Sequence, residues 1–497
     1  MDTILLDDGL DWRGIAAIAE GARLTLSAAA WDRIDHARAI VTAIVESGVR
    51  AYGVTTGVGA LSDTAVDRAA QQRLSRNLIM SHAAGVGPLL PEAEVRSIIA
   101  AQISNLAHGH SGVRAAIIRH YLAFLDHGCI PHVPSKGSAG YLTHNAHIAL
   151  VLIGEGRARL DGRSVSGREA LAAMGLEPLL LEAKEGLSLV NGSACATGLG
   201  ALALARAERL IGWAEAAAAL TIEALGGQVN AFGEDVLSIR RSEGLQAAGA
   251  DLRARLAGSG MIPASQGRRT QDALSLRAVP HAHGAARDAF AFVAEVVDRE
   301  IASVTDNPAL FGTPEDPRVA SQAHAVAPAL GHGLDTLAIA LAQIAIMSER
   351  RIERLTNPAL SGLPAFLAAD PGAGSGFMIA QYTACVLAAE NRRLAAPASV
   401  DGGVTSALQE DFLGHPTSAA NKLMTLIDNT ADILSIELLA AAEASDIQAG
   451  LGARAPGTEA IHRAVRDRSA RYADDRPLSA EIAAVRGLLD ALPPAIP

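Results

Sequence analysis

Five short segments carry the side chains whose types and settings could do acid–base or binding chemistry. In RAYGVTTGVGAL, Tyr52 stands just ahead of Gly53, Gly57 and Gly59, where the backbone is free enough for a ligand to approach closely. A phenolate there would be a competent base. Its ordinary pKa is about 10, so ionisation near neutrality needs a cation or hydrogen-bond donors beside it. NLIMSHAAGVG offers Ser81 and His82 ahead of a second glycine turn, and GLSLVNGSACATG puts Asn191 before a glycine. RRTQDALSLRAVPHAHG contributes Gln271, Asp272 and Arg277, whose guanidinium fork matches the two oxygens of a carboxylate. TSALQEDFLGHP contributes Gln409, Glu410 and Asp411.

Each segment has a plainer alternative. Tyr52 alone reads as a half-buried phenol with a bonded hydroxyl, His82 as a hydrogen-bonded structural residue, Asn191-Gly192 as a turn, Arg277 as an ion-pair partner of Asp272, and Glu410 as a solvated helix start. The histidines of HAVAPALGHG and HAHG lack a metal-ligand spacing such as His-Glu-x-x-His, so no metal is expected.

These residues have to be held by some framework, and composition says which kind. Nearly half of the 497 residues are apolar but only 3% are aromatic, with Ala, Leu and Gly abundant, which suits packed helices better than a β-sandwich. The length suffices for one large core or for two to three core units. A formal charge of -11, without clustered Lys and Arg, excludes a nucleic-acid partner and favours a small-molecule substrate. Cys129, Cys195 and Cys385 are too few and too far apart for a disulfide framework, and the acidic start carries no secretory signal. No apolar run reads as a membrane span, so a cytoplasmic protein is expected.

Residues 1–200 alternate short apolar pieces with glycine turns and are expected to form a loop-rich domain carrying the site. Residues 201–497 are expected to form an elongated helical bundle. One helix follows from Leu334, Leu337, Leu341, Ile344 and Met347, stopped at Asn357-Pro358. A second follows from Leu423, Leu426, Ile427, Thr430, Ile433, Leu434 and Leu438. The closing DALPPAIP is expected to fray.

In this order the segments resemble the aromatic amino acid lyase family, the histidine and phenylalanine ammonia-lyases, over roughly residues 10–440. The resemblance is carried by YGVTTGVG, RNLIMSHAAGVG, IPHVPSKGS, AHIALVLIGEG, GLSLVNGS, QDALSLR, SVTDNPALF, GFMIAQYTACVLAAEN, PASVD and SALQED. SVTDNP and MIAQ lean toward the histidine branch. The resemblance implies a mainly α, histidine ammonia-lyase-like (fumarase/aspartase-like) fold. It also implies a homotetramer whose sites combine loops from three subunits, with Tyr52 as the base and His82, Asn191, Gln271, Arg277, Phe311 and Glu410 at substrate-binding positions.

Two departures qualify that picture. In the family an internal Ala-Ser-Gly cyclises to a methylidene-imidazolone that captures the substrate amine. In KGSAGYLTHNAH the segment is three residues short, and Ser138-Ala139-Gly140 falls where Ala-Ser-Gly belongs. Ala139 has no hydroxyl to eliminate. The alternative register, Gly137-Ser138-Ala139, restores a central serine but replaces the third glycine with a Cβ-bearing residue. The prosthetic group is therefore expected to be absent, with Ser138, Ala139, Gly140 and Tyr141 lining the vacated space. The second departure is Leu274, where the family usually has a tyrosine.

A substrate that needs no electrophile would fit. A trimethylammonium group already leaves as a neutral amine and has no lone pair with which to attack. Joined to a histidine-type pocket, this leads to an expected elimination of trimethylamine from ergothioneine, giving thiolurocanate. Tyr52 would take the β-proton, Arg277 and Asn191 would hold the carboxylate, and His82 and Glu410 would bind the thioimidazole. Leu274 and Phe311 would wall the site, Phe311 through its ring face toward the cation. A histidine ammonia-lyase and a catalytically inactive relative are the alternatives.

Overall fold

The protein is represented by a computed structural model that describes residues 3–48, 50–61, 64, 66–265 and 269–496. The chain is mainly α, with 62% of it helical. It divides into two compact units. The first comprises residues 1–205, 293–335 and 397–421, the second residues 206–292, 336–396 and 422–497. The first break lies between residues 205 and 206. Two later segments return to the first unit, and they bring site residues with them.

In the first unit the helix Glu92–Ala107 is the buried axis, with every residue from Glu94 onward covered. Its Arg96 is also buried, and it bonds the Ile18 carbonyl at 2.9 and 3.1 Å and the Leu125 carbonyl at 2.9 Å. Both carbonyls lie in or beside the last turn of a helix, Trp12–Ala19 and Ala115–Asp126, where unpaired acceptors and the dipole favour a cation. A short antiparallel pair, Val86–Leu89 with Pro134–Lys136, leads directly into the loop at 137–142, and the helix Thr143–Leu152 follows it.

Another hairpin, Ala309–Gly312 with Pro317–Ala320, shows why one expected site residue moved. Leu310 packs into a core cluster with Ala37, Val41, Ile44 and Val54. Strand alternation then turns Phe311 to the opposite face, where Arg318 is its register partner.

In the second unit both expected helices form. Leu334, Leu337, Leu341 and Ile344 lie on the helix Pro328–Thr356, which begins in the first unit, and all are buried. Leu423 through Leu438 lie on Pro416–Ile447, and that whole stripe is buried as well. Asn357 caps the short helix after the stop, accepting from Ala359 N–H. One buried polar group of this unit is fully paired: Arg351 and Glu437, both fully buried, bond at 2.5 and 2.8 Å, and Thr221 adds a bond to the same carboxylate at 2.8 Å.

Two sequence expectations need correction here. The described part of the C-terminal segment, up to residue 496, is tied down: the Ala491 carbonyl accepts from Trp213 at 2.8 Å and the Pro494 carbonyl from Arg255 at 3.2 Å. Two helices, spanning Glu185–Ala224 and His324–Thr356, are long and apolar enough to cross a membrane, and their most apolar windows are 100% and 67% buried inside the protein. Interior helices of alanine and leucine pass the same length test as membrane spans, because burial in protein and burial in lipid both favour apolar side chains.

Candidate active site

A cavity of about 1360 Å³ lies in the first unit, and the sequence-identified residues that line it include Tyr52, His82, Asn191 and Glu410. Each is delivered by a different local device. Tyr52 follows the helix Ala28–Ser47 and enters a tight loop whose Gly53 has φ +63; a Cβ there would lie 2.3 Å from Leu187. The Gly59 N–H donates to the Tyr52 hydroxyl oxygen at 3.1 Å, so the loop closes on its own phenol. His82 ends the helix Arg68–His82, and Asn191 caps the helix Glu185–Val190. Asn191 donates to the Asn307 carbonyl at 2.8 Å, which fixes its amide. Glu410 is held by a backbone bridge to Thr405 across three consecutive left-handed residues, Ser406, Ala407 and Leu408.

The loop at 137–142 forms one wall. Ala139 and Tyr141 line the cavity, whereas Ser138 and Gly140 do not. Ser138 is a strut: its hydroxyl donates to the Tyr141 carbonyl at 2.8 Å and accepts from Gly140 N–H at 3.1 Å. Gly140 has φ +143, and a Cβ on it would sit 2.8 Å from Pro416. Leu142 has φ +77 and ψ −74, and Thr143 N–H bonds the Tyr141 carbonyl at 3.1 Å. That is a γ-turn of the strained hand, a conformation that costs a non-glycine residue on the order of 1–3 kcal/mol. The Tyr141 hydroxyl donates to Glu410 Oε2 at 2.9 Å.

The electrostatics are one-sided. Among the described lining residues Glu410 is the single carboxylate, and no Lys or Arg is present. Burial pushes the Tyr52 phenol above its ordinary value; the Gly59 N–H opposes this and the Glu410 charge adds to it. Burial, the bond to Glu410 and the nearby charges also push the Tyr141 phenol up. Burial pushes the His82 imidazole down, against a hydrogen bond to the Leu78 carbonyl, so the ring is neutral at physiological pH. Among the described residues no group of three or more His, Cys, Asp or Glu side chains could hold a metal ion.

The remaining expected residues lie elsewhere. Phe311 is not a lining residue: its ring packs on His110 with centroids 5.2 Å apart and lies under the Arg318 guanidinium at 5.1 Å. Within this chain, therefore, the ring does not face the cavity. Gln271, Leu274 and Arg277 belong to the second unit and are absent from the cavity lining. Arg277 bonds the Asp272 carbonyl at 3.0 Å and the Gln271 amide oxygen at 3.1 Å, while the Asp272 carboxylate is taken by Arg269. The ion pair offered as the alternative for Arg277 is thus not formed, and among the described residues the guanidinium has no carboxylate partner. Leu274 is exposed in the single chain.

Sequence reasoning missed Asn77, Asn307 and Gln322, all cavity residues. Asn77 had a findable signal, because Leu74, Asn77, Leu78 and Ser81 recur at helical spacing on one face of the helix that ends in His82.

The family profile for aromatic amino acid lyases matches residues 10–467. The chain belongs to the aromatic amino acid lyase family. A histidine ammonia-lyase from Anaeromyxobacter sp. strain K is 43% identical over 99% of both chains. Among solved structures, histidine ammonia-lyase from Trypanosoma cruzi superposes with a TM-score of 0.89 at 34% identity, covering 98% of this chain and 93% of that one. Ergothionase from Treponema denticola, an ergothioneine-degrading enzyme, superposes at 0.91 with 29% identity over 98% of both chains. The fold is therefore histidine ammonia-lyase-like, and the aromatic amino acid lyase scaffold makes the protein a carbon–nitrogen lyase.

In the register that puts Ser138-Ala139-Gly140 at the Ala-Ser-Gly position, the residues do not fit the prosthetic group associated with that family. Ala139, the cavity-facing member of Ser138-Ala139-Gly140, has no oxygen to lose, and the neighbouring Ser138 hydroxyl is engaged with the loop's own backbone.

Proposed function

We propose that the protein eliminates trimethylamine from ergothioneine to give thiolurocanate, without a methylidene-imidazolone group. The observation that carries this reading is the loop wall itself: Ala139, which the family resemblance puts at the position of the reactive serine, lines a cavity whose described lining residues carry one formal charge, a carboxylate. A site without an electrophile suits a substrate whose nitrogen is already a good leaving group, and a site of negative charge suits a permanent cation.

In this mechanism the ionised Tyr52 takes the β-proton of the substrate. The released electron pair forms the Cα–Cβ double bond as the Cα–N bond breaks, and trimethylamine departs with the bonding pair as a neutral molecule. The thioimidazole delocalises charge developing at Cβ, and neutral His82 bonds the ring. Asn191 and Arg277 bind the carboxylate. In a homotetramer whose sites combine three subunits, Arg277 comes from a neighbouring copy. Exposed Ile379, Tyr382 and Val386, spaced along one face of the helix Met378–Leu394, support such an assembly. A cytoplasmic setting is supported by three free cysteines, two of them buried with thiols pushed up to about 12.

A second reading, histidine ammonia-lyase, is favoured by the 43% identity to enzymes of that name. It requires the register Gly137-Ser138-Ala139 to cyclise. Ultraviolet absorbance with ergothioneine and histidine in parallel, together with the intact mass of the chain, separates the two. A thiolurocanate band from ergothioneine alone with an undiminished mass supports the first reading. A urocanate band from histidine and a mass lowered by loss of water replaces it with the second, and no turnover of either substrate points to an inactive relative.

A further inference from the structure

Tyr141 is held more firmly than a residue filling space requires. Its carbonyl takes two donors, Ser138 Oγ at 2.8 Å and Thr143 N–H at 3.1 Å, and the next residue, Leu142, is tied to the Val190 carbonyl at 2.9 Å while in a left-handed conformation. The preceding Gly140 fits against Pro416 only because it has no Cβ. A shortened loop that accepts a strained turn and a glycine-only contact, and so aims one side chain into a cavity, points to a role for that side chain.

The surroundings define the role. The rings lining the cavity are Tyr52, His82 and Tyr141. Tyr52 is committed to proton transfer in the reaction proposed above, neutral His82 presents edge nitrogens suited to a polar ring, and Phe311 is covered by Arg318. Tyr141 is left as the aromatic face. Its hydroxyl proton is spent on Glu410, so this wall pairs a π-face with an oriented carboxylate while its hydroxyl groups are already engaged. A primary ammonium asks for acceptors for its N–H groups. A quaternary ammonium has none and is bound by charge and by ring faces.

We propose that Tyr141 is the specificity-determining residue for a quaternary ammonium, its ring seating the cation and its hydroxyl holding the Glu410 carboxylate toward it. This rests on the elimination reading above for the identity of the substrate, but not for the preference itself.

The test is calorimetric binding to the assembled, wild-type-length enzyme of benzyltrimethylammonium and of its uncharged isostere, neopentylbenzene. The wild type is expected to bind the cation at least tenfold more tightly. Tyr141→Phe, which keeps the ring and loses the bond to Glu410, should lower that preference about threefold, and Tyr141→Leu about tenfold or more, with the isostere unchanged in both. Equal loss for both probes in Tyr141→Leu and in Tyr141→Phe would mean a structural role and overturn the proposal, as would an undiminished preference in Tyr141→Leu or a wild type that binds neither probe or binds both equally. Because neither probe carries a thioimidazole or can react, a wild type that prefers the cation yet leaves ergothioneine intact would refute the substrate assignment and leave this inference standing. Turnover of ergothioneine with an unchanged preference in Tyr141→Leu would do the reverse.

Discussion

The hydroxyl of Tyr141 donates to the carboxylate of Glu410 across the cavity wall at 2.9 Å, although the two residues are 269 positions apart in the chain. Glu410 also acts on Tyr52, whose phenol is pushed up first by burial and further by that negative charge. In the proposed elimination this one carboxylate would attract the cation and restrain the base until the cation arrives.

This gives a pH signature. A phenol must lose its proton to act as a base, so kcat/KM should rise with pH through the neutral range and level off only above the raised pKa of Tyr52. Removing the nearby anion lowers that pKa, so Glu410→Gln should move the rising limb to lower pH even as the magnitude of kcat/KM falls. Steady-state rates across the pH range check this, and a limb that stays in place would remove Glu410 as the restraint on Tyr52.

Arg277 should behave as a carboxylate clamp. Charge-assisted bonds of this kind contribute about 1.5–3 kcal/mol, so Arg277→Met is expected to raise KM by roughly 10- to 150-fold. Arg277→Lys keeps the charge without the planar fork and should fall between the two. A KM unchanged in Arg277→Met would return the residue to a purely local role with Gln271 and the Asp272 carbonyl.

The helices that frame the protein were legible because a 3.6-residue period survives whatever packs on it: Leu334 to Ile344 and Leu423 to Leu438 are buried as read. The glycine-flanked site residues Tyr52, His82, Asn191 and Glu410 were legible through motif order, and they converge on one cavity. Where Phe311 would lie within the chain was not legible, because a strand's alternation cannot be assigned to a face until its partner is known, and Leu310 takes the core side. Asn307 and Gln322 were invisible for another reason. They reach the cavity because residues 293–335 return to the first unit, a long-range contact that no local pattern encodes. The γ-turn at Leu142 escaped notice too, since a leucine carries no propensity for it and the surrounding hydrogen bonds impose it.

Gly140 tests whether that imposed geometry matters. At φ +143 an alanine is strained, and its Cβ would lie 2.8 Å from the Pro416 ring, a backbone-anchored neighbour that cannot swing away. Gly140→Ala should cost about 1–3 kcal/mol of stability, as overpacking typically does, and should reduce turnover more than stability by displacing Tyr141. Thermal unfolding alongside kinetics separates the two effects. Unchanged activity in a destabilised variant would show that the loop tolerates a shift.

The last expectation concerns the buried pair Arg351–Glu437, which has no part in the cavity. Both side chains are fully buried, and the carboxylate also accepts from Thr221. Removing one partner strands a charge away from water, so Glu437→Leu alone should destabilise the protein by about 3–5 kcal/mol. Replacing both, as Arg351→Met with Glu437→Leu, removes the desolvation cost along with the attraction and should recover most of that loss, short of the bond left unmade by Thr221. Denaturant unfolding of the single and double variants measures the coupling. If the double variant were as unstable as the sum of the two single changes, the pair would not be interacting as a unit, and the stability of this unit would have to reside in the apolar stripe around it.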